Sequence, residues 1–254
     1  MNIIINDADT FRRIIGCLKD LITDSGEFVF DSRGISMQST DTSKVVMIDI
    51  LLEQDAFTKY ELQPELGSDE LKLGLNFINF NDILKLSKST QIGMVYKLES
   101  DKITLKLNEH NNKKIQFNMV LSTVDKEQLD VQEIDYSVKV YIEVSEFQKS
   151  IKDLSSFGKK CNITVSKNEI TFSVTGDAGS GEICITDAEI EYSDSVDENE
   201  EFTGVFNTKY LNFFAKAGLS NEIILKFANG VPFCFEYQLE YGHVKFYLAQ
   251  LSEN

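Results

Sequence analysis

Pro64 and Pro232 are the only prolines in this chain of 254 residues. So few breakers suit long paired strands, because proline cannot donate to a strand ladder. Histidine is just as scarce. His110 and His243 lie far from any nitrogen or sulfur partner at metal-ligand spacing, so no zinc site is expected. Cys17, Cys161, Cys184 and Cys234 are scattered, with no Cys-x-x-Cys pair. The first residues, Met-Asn-Ile-Ile-Ile-Asn-Asp, lack a basic segment followed by a long apolar one. The thiols therefore read as reduced and mostly buried, in an intracellular protein.

No apolar run approaches the roughly 18 residues of a membrane helix, so no membrane partner is expected. The most apolar stretch, Val45 to Leu52, is short and contains Asp49. Phosphate-loop, dinucleotide and nucleophile-elbow motifs are missing. Gly176, Gly179 and Gly181 around Asp177 and Ser180 resemble a phosphate loop, but no Lys-Ser/Thr follows, and a turn between strands is the preferred reading. Glu198, Glu200 and Glu201 fall in a polar run, Ser193 to Glu201, that reads as a solvated loop. An acid/base pair needs a partly buried setting. No catalytic residue, metal or cofactor is expected.

Period-two alternation fills much of the chain and predicts antiparallel strands. It runs through Ile103–Leu107, Ile115–Leu121, Tyr136–Val144, Ile170–Val174 and Val244–Leu248. Four segments switch to helical spacing. They hold Phe11, Ile14, Ile15, Leu18 and Ile22; Asp82 to Ser89; Phe147, Ile151 and Leu154; and Leu211, Phe213, Phe214 and Ala217. Candidate caps are Asp9 or Thr10, Asn81, Ser145 and Asn207.

The pattern is written twice. A shift of 136 lays Phe11, Arg13, Ile15 and Leu18 over Phe147, Lys149, Ile151 and Leu154. A shift of 135 sets Phe30, Ile35, Met37 and Ser39 over Val165, Ile170, Phe172 and Val174. A shift of 128 sets Asn79, Ile83, Leu86 and Lys88 over Asn207, Leu211, Phe214 and Lys216. Two similar α+β domains follow, 1–120 and 136–254, joined by residues 121–135. That linker is either a solvated connector or a binding strip, with Leu129 and Val131 as apolar anchors among acids.

The formal charge of −16 argues against nucleic acid on bulk grounds. Its placement argues otherwise. Residues 10–19, 82–90, 147–160 and 207–218 carry +3, +1, +3 and +2, leaving −25 on the remainder. Lys and Arg favour helices anyway. A one-sided excess in all four helices nevertheless favours a sequence-independent phosphate surface, with duplex DNA as partner.

Several stretches resemble the eukaryotic sliding-clamp family, proliferating cell nuclear antigen. They are Leu18 to Ile22, Asp31-Ser-Arg-Gly-Ile-Ser-Met-Gln-Ser-Thr-Asp-Thr-Ser-Lys-Val45, Lys209-Tyr-Leu-Asn-Phe-Phe-Ala-Lys-Ala217, Val231-Pro232 with Glu236-Tyr237, and Gly242-His-Val-Lys-Phe-Tyr-Leu-Ala249. The resemblance implies the DNA-clamp fold, two helices on antiparallel sheets in each domain. It also implies a nuclear, head-to-tail homotrimeric ring that encircles duplex DNA as a polymerase processivity factor. A subunit of a heterotrimeric checkpoint ring is the alternative. The DNA-facing positions it implies are Arg12, Arg13, Lys19, Lys85, Lys88, Lys113, Lys149, Lys152, Lys209 and Lys216, and Asp82 occupies a position that is basic in the family. Ring closure would pair the edge near Lys113–Val120 with that near Gly176–Asp187 of a neighbour. DNA polymerase, clamp loader and repair proteins would insert a peptide motif into a pocket of Thr40, Lys44, Met47, Leu129, Val131, Pro232, Tyr247, Ala249 and Gln250. Here Thr40 replaces a usual methionine, Lys44 a histidine and Gln250 a proline. Lys167 falls at the family's modification lysine.

Overall fold

The computed structural model describes residues 1–22, 25–62, 69–108, 113–124, 134–177, 179–194 and 196–251. The chain forms two compact units. One holds Met1–Lys44, Ile48–Leu129 and Leu239–Val244; the other holds Val45–Met47, Asp130–Gln238 and Lys245–Asn254.

The first half of the chain runs β1 (Asn2–Ile5), α1 (Ala8–Leu21), β2 (Ser25–Asp31), β3 (Gly34–Thr40), β4 (Val46–Glu53), β5 (Phe57–Glu61), β6 (Leu71–Asn76), α2 (Phe77–Lys85), β7 (Ile92–Tyr96), β8 (Lys102–Asn108) and β9 (Lys114–Val120). The second runs β10 (Val138–Glu143), α3 (Val144–Ser155), β11 (Lys160–Ser166), β12 (Glu169–Gly176), β13 (Gly179–Ile185), β14 (Glu189–Tyr192), β15 (Phe202–Asn207), α4 (Thr208–Ala217), β16 (Glu222–Phe227), β17 (Phe233–Leu239) and β18 (Gly242–Leu248).

Strand order exposes the duplication. The first half is ordered β5-β1-β7-β8-β9 and β4-β3-β2-β6; the second is ordered β14-β10-β16-β17-β18 and β13-β12-β11-β15. Adding nine to each first-half strand number yields the second. The sequence overlays of α1 on α3 and β3 on β12 agree with this order. The overlay of α2 on α4 does not. Both helices follow a capping asparagine, Asn76 with its side chain on the Asn79 amide and Asn207 on the Lys209 amide. The equivalence is therefore a shift of 131, not 128, and it sets Lys85 over Lys216. A slip of three is nearly one helical turn and preserves the apolar matches.

Cap chemistry explains the other boundary differences. Asp7, rather than Asp9 or Thr10, accepts the Thr10 amide at 2.9 Å and starts α1. Phe77 and Phe80 are buried, so α2 begins well before Asp82. α3 starts at Val144 without a side-chain cap, and α4 stops at Gly218, whose φ of 52° suits glycine.

Each unit buries an aromatic core beneath its helices. Phe11 meets Phe80 edge-on at 5.8 Å, and Phe28 meets Phe77 at 5.7 Å. In the other unit Phe235 touches Phe147, Phe206 and Phe214. Cys161 and Cys234 are buried as expected, whereas Cys17 is half-buried and Cys184 exposed. Burial pushes the Cys17 and Cys161 thiols up to about 12, so neither supplies a thiolate near neutral pH.

Candidate nucleic-acid interface

Helical geometry sorts the expected cations into stripes. Residues three, four or seven apart share a face. Arg12 and Lys19 lie seven apart on α1, Lys149 and Lys152 three apart on α3, and Lys209 and Lys216 seven apart on α4. On α2, Asp82 and Lys85 share a face, and Lys88 lies beyond the helix end. Arg13, Lys85, Lys88, Lys113, Lys149, Lys152, Lys209 and Lys216 are exposed, while Arg12 and Lys19 are half-buried. Phe11, Ile14, Ile15 and Leu18 form the buried side of α1, which Arg12 and Lys19 flank, while Phe147, Ile151 and Leu154 lie opposite Lys149 and Lys152 on α3. Counted over the observed helices, the excess shrinks to +1 on α1, where Asp9 and Asp20 offset two cations, and +2 on α4, while Asp82 balances Lys85 on α2 and Glu146 and Asp153 balance Lys149 and Lys152 on α3.

The cations are not equally available. The Lys19 ammonium lies 3.3 Å from Asp20, and that of Lys209 stands 5.6 Å from the centre of the Phe213 ring. Arg12 is the most committed. Its Nε donates to the Leu84 carbonyl at 3.3 Å, Nη2 to the Ser89 carbonyl at 2.6 Å, and Nη1 to Asp9 at 2.9 Å. It therefore ties α1 to the carboxyl end of α2.

The duplicated position shows what that tie requires. Gln148 overlies Arg12, Ala215 overlies Leu84, and the Gln148 amide donates to the Ala215 carbonyl at 2.8 Å. A neutral side chain makes the same inter-helix bond in the other unit. Sequence reading missed both staples because their acceptors lie 72 and 67 residues away. The overlay by 136 aligned the two donors but could not reveal their common target. Arg12→Ala should cost about 2 kcal/mol of unfolding free energy, since two carbonyls lose a charged donor. Arg12→Gln, which copies the other unit, should cost less than half as much. Denaturant unfolding of both variants checks this; equal losses would contradict the staple assignment.

The start of the linker is fastened within its own unit. The Ser122 amide donates to the Gly74 carbonyl at 2.9 Å, and the Ser25 and Ser122 hydroxyls bond at 2.9 Å. A Cβ on Gly74 would stand 2.0 Å from the Ser122 carbonyl oxygen, so glycine is what lets the linker lie on β6. Leu129 and Val131 lie outside the described residues.

Of the other expected pocket positions, Thr40 ends β3 half-buried. Lys44 is exposed, with a left-handed φ of 55° fixed by its amide bond to the Asp41 carbonyl at 3.0 Å. Such a backbone costs on the order of 1 kcal/mol for a non-glycine residue. In the second unit Met47 and Tyr247 are half-buried, and Pro232, Ala249 and Gln250 exposed. The Pro232 carbonyl accepts the Tyr136 hydroxyl, and the Ala249 amide bonds the Val45 carbonyl at 3.2 Å.

Lys167 is exposed in the turn between β11 and β12, its ammonium 2.8 Å from Glu198. That hydrogen bond holds its pKa above the ordinary lysine value, so any acylation there must first break the pair. Among the described residues no three His, Cys, Asp or Glu side chains assemble as a metal-ligand set.

The sheet edges complete the surface. β9 and β13 are terminal strands, each with one side unpaired among the described residues. Phe117 is half-buried although its cross-strand partner Leu105 is fully buried. Phe246, its duplicate on β18, is 1% exposed. There β18 and β4 are bonded neighbours, with further backbone bonds just beyond their ends from the Glu53 amide to the Tyr241 carbonyl and from the Ala249 amide to the Val45 carbonyl. Ile183 on β13, opposite the buried Phe172, is likewise half-buried, while its duplicate Ile48 on β4 is fully buried. Val120 and Leu86 are 58% and 57% exposed beside the β9 edge. Two family models match the chain. "Proliferating cell nuclear antigen, N-terminal domain" matches residues 1–130, and "Proliferating cell nuclear antigen, C-terminal domain" matches residues 130–251.

Proposed function

The chain belongs to the proliferating cell nuclear antigen family of DNA sliding clamps, whose domains are non-enzymatic, and from that premise we propose that three copies close head to tail into a nuclear ring around duplex DNA. Two clamp domains, 1–120 and 136–254, joined by residues 121–135, make each copy. The observation that carries the reading is the pair of open edges, β9 and β13, whose duplicates β18 and β4 are already bonded to each other. A neighbour that repeats this pairing covers Phe117 and Ile183 and removes both edges. The interface is heterologous, so closure follows from rotation rather than from a two-fold.

Arg13, Lys19, Lys85, Lys88, Lys113, Lys149, Lys152, Lys209 and Lys216 then face the phosphates, with Arg12 acting mainly through helix placement. Contacts need only be weak, because a closed ring cannot leave a circular duplex. Mobile, sequence-independent attraction is what lysine–phosphate contacts provide. Polymerase, clamp loader and repair proteins dock by inserting apolar side chains at Met47, Leu129, Val131, Pro232, Tyr247 and Ala249. Thr40, Lys44 and Gln250 make this chain's version of that surface more polar. Native mass tests the assembly: the homotrimer has a mass of about 86 kDa from chains of 28.8 kDa. A monomer across micromolar concentrations would favour the heterotrimeric checkpoint subunit instead.

A further inference from the structure

The first unit contains a cleft that none of the expected DNA-facing cations or described peptide-docking residues lines. It lies between the first turn of α1, the turn Gln54–Ala56 and the turn joining β17 to β18, and its volume is about 220 Å³. The floor consists of core side chains, Ile5, Phe11, Ile14 and Leu52, each almost wholly buried. The space exceeds several waters, yet its floor offers few polar partners to order them. It has the size and character to take one large apolar side chain.

The rim has the opposite chemistry. Asp7, Asp55 and Glu240 are exposed around it, and no lysine or arginine lines it. Asp7 remains ionised: its partial burial opposes charge, but hydrogen bonds from Thr10 hold its pKa below the usual carboxylate range. The same carboxylate offsets the partial positive charge at the amino end of α1. Tyr241 stands 39% exposed at the mouth, its hydroxyl bonded to Glu240, so its ring is held there as a surface for a cation.

We propose that this cleft docks a short segment of a partner protein in which an aromatic or aliphatic anchor is flanked by lysine or arginine. The anchor fills the apolar hole, and the flanking cations meet the three carboxylates and the Tyr241 ring. Opposite charge around a desolvated anchor is the arrangement that gives specificity and fast capture. The site is separate from the peptide surface proposed above, whose described residues do not line it.

Fluorescence anisotropy of the full chain tests this with a labelled Lys-Arg-Leu-Phe-Lys-Arg probe at low salt. The expected result is saturable binding, at least about tenfold tighter than for Glu-Asp-Leu-Phe-Glu-Asp or for Lys-Arg-Gly-Gly-Lys-Arg. Ala56→Leu, which fills the cleft, should weaken the probe at least about tenfold. So should the double variant Asp55→Asn, Glu240→Gln, whose exposed positions leave the fold intact even if the filled cleft does not. Amide shifts should centre on Asn6, Ala56 and Tyr241. Absence of saturable binding overturns the proposal, as does equal affinity for the Gly-Gly probe. Amide shifts centred on Lys44 and Ala249 also overturn it, because the probe would then occupy the other peptide surface.

Discussion

Phe117→Glu will leave this chain a 28.8 kDa monomer at concentrations where the proposed trimer of the parent should sediment near 86 kDa. Phe117 lies on the open strand β9, half-buried, with the fully buried Leu105 beside it. A second copy's β13 covers it in the proposed ring, so the variant places an unpaired carboxylate inside an apolar contact. Isolated buried charge of this kind costs about 3–5 kcal/mol, or a hundredfold or more in association at each junction. The free monomer hardly suffers, because the side chain still reaches water there, and its thermal unfolding should stay close to the parent's. Ile183→Glu on β13 should do the same from the other side. Mixing the two variants is the sharper test. Each retains one sound edge, so a head-to-tail junction allows a single pairing and a species of about 58 kDa that cannot close. If Phe117→Glu still sediments as the trimer, or the mixture stays monomeric while the parent is trimeric, the edge pairing is wrong.

Charge reversal on the helices should abolish clamp activity while sparing assembly. Arg13, Lys149 and Lys216 are exposed on α1, α3 and α4. Changing all three to glutamate alters each copy by six charges and the ring by about eighteen. Attraction to the duplex becomes repulsion, and stimulation of a polymerase on a primed circular template should fall at least about tenfold at 0.1 M salt, with native mass unchanged. The same change at Lys72, Lys102 and Lys106, exposed on strands β6 and β8, should leave stimulation within about twofold. Equal losses from both sets would mean that only net charge matters. No loss from the helix set would remove those residues from the DNA surface.

Strands were the most legible part of the chain because their period of two is short and redundant. Alternation through 103–107 and 244–248 marks β8 and β18 without reference to anything distant. Helix starts were less so. The consecutive apolar residues Phe77 and Ile78 hide the start of α2, and Asp7 competes with Asp9 and Thr10 as a cap. Duplication could be read from α1 and β3, yet it slipped by three at α2, where one helical turn leaves the apolar matches intact. The exposure of single cations followed from periodicity, but the charge excess did not hold, because the windows left out Asp9, Asp20 and Glu146 and took in Lys159 and Lys160 beyond the end of α3. The commitment of Arg12 did not follow either, because its acceptors are set by how α1 packs on α2. Nor did the contrast between Phe117 and Phe246, which depends on which edge strand already has a neighbour.

Retention on circular DNA tests topological enclosure most directly. After loading onto a nicked plasmid and a wash at high salt, the chain should stay bound, and one linearising cut should release it within minutes. Release from the intact nicked circle at the same rate as from the linear molecule would contradict enclosure and reduce the basic helices to an ordinary electrostatic patch.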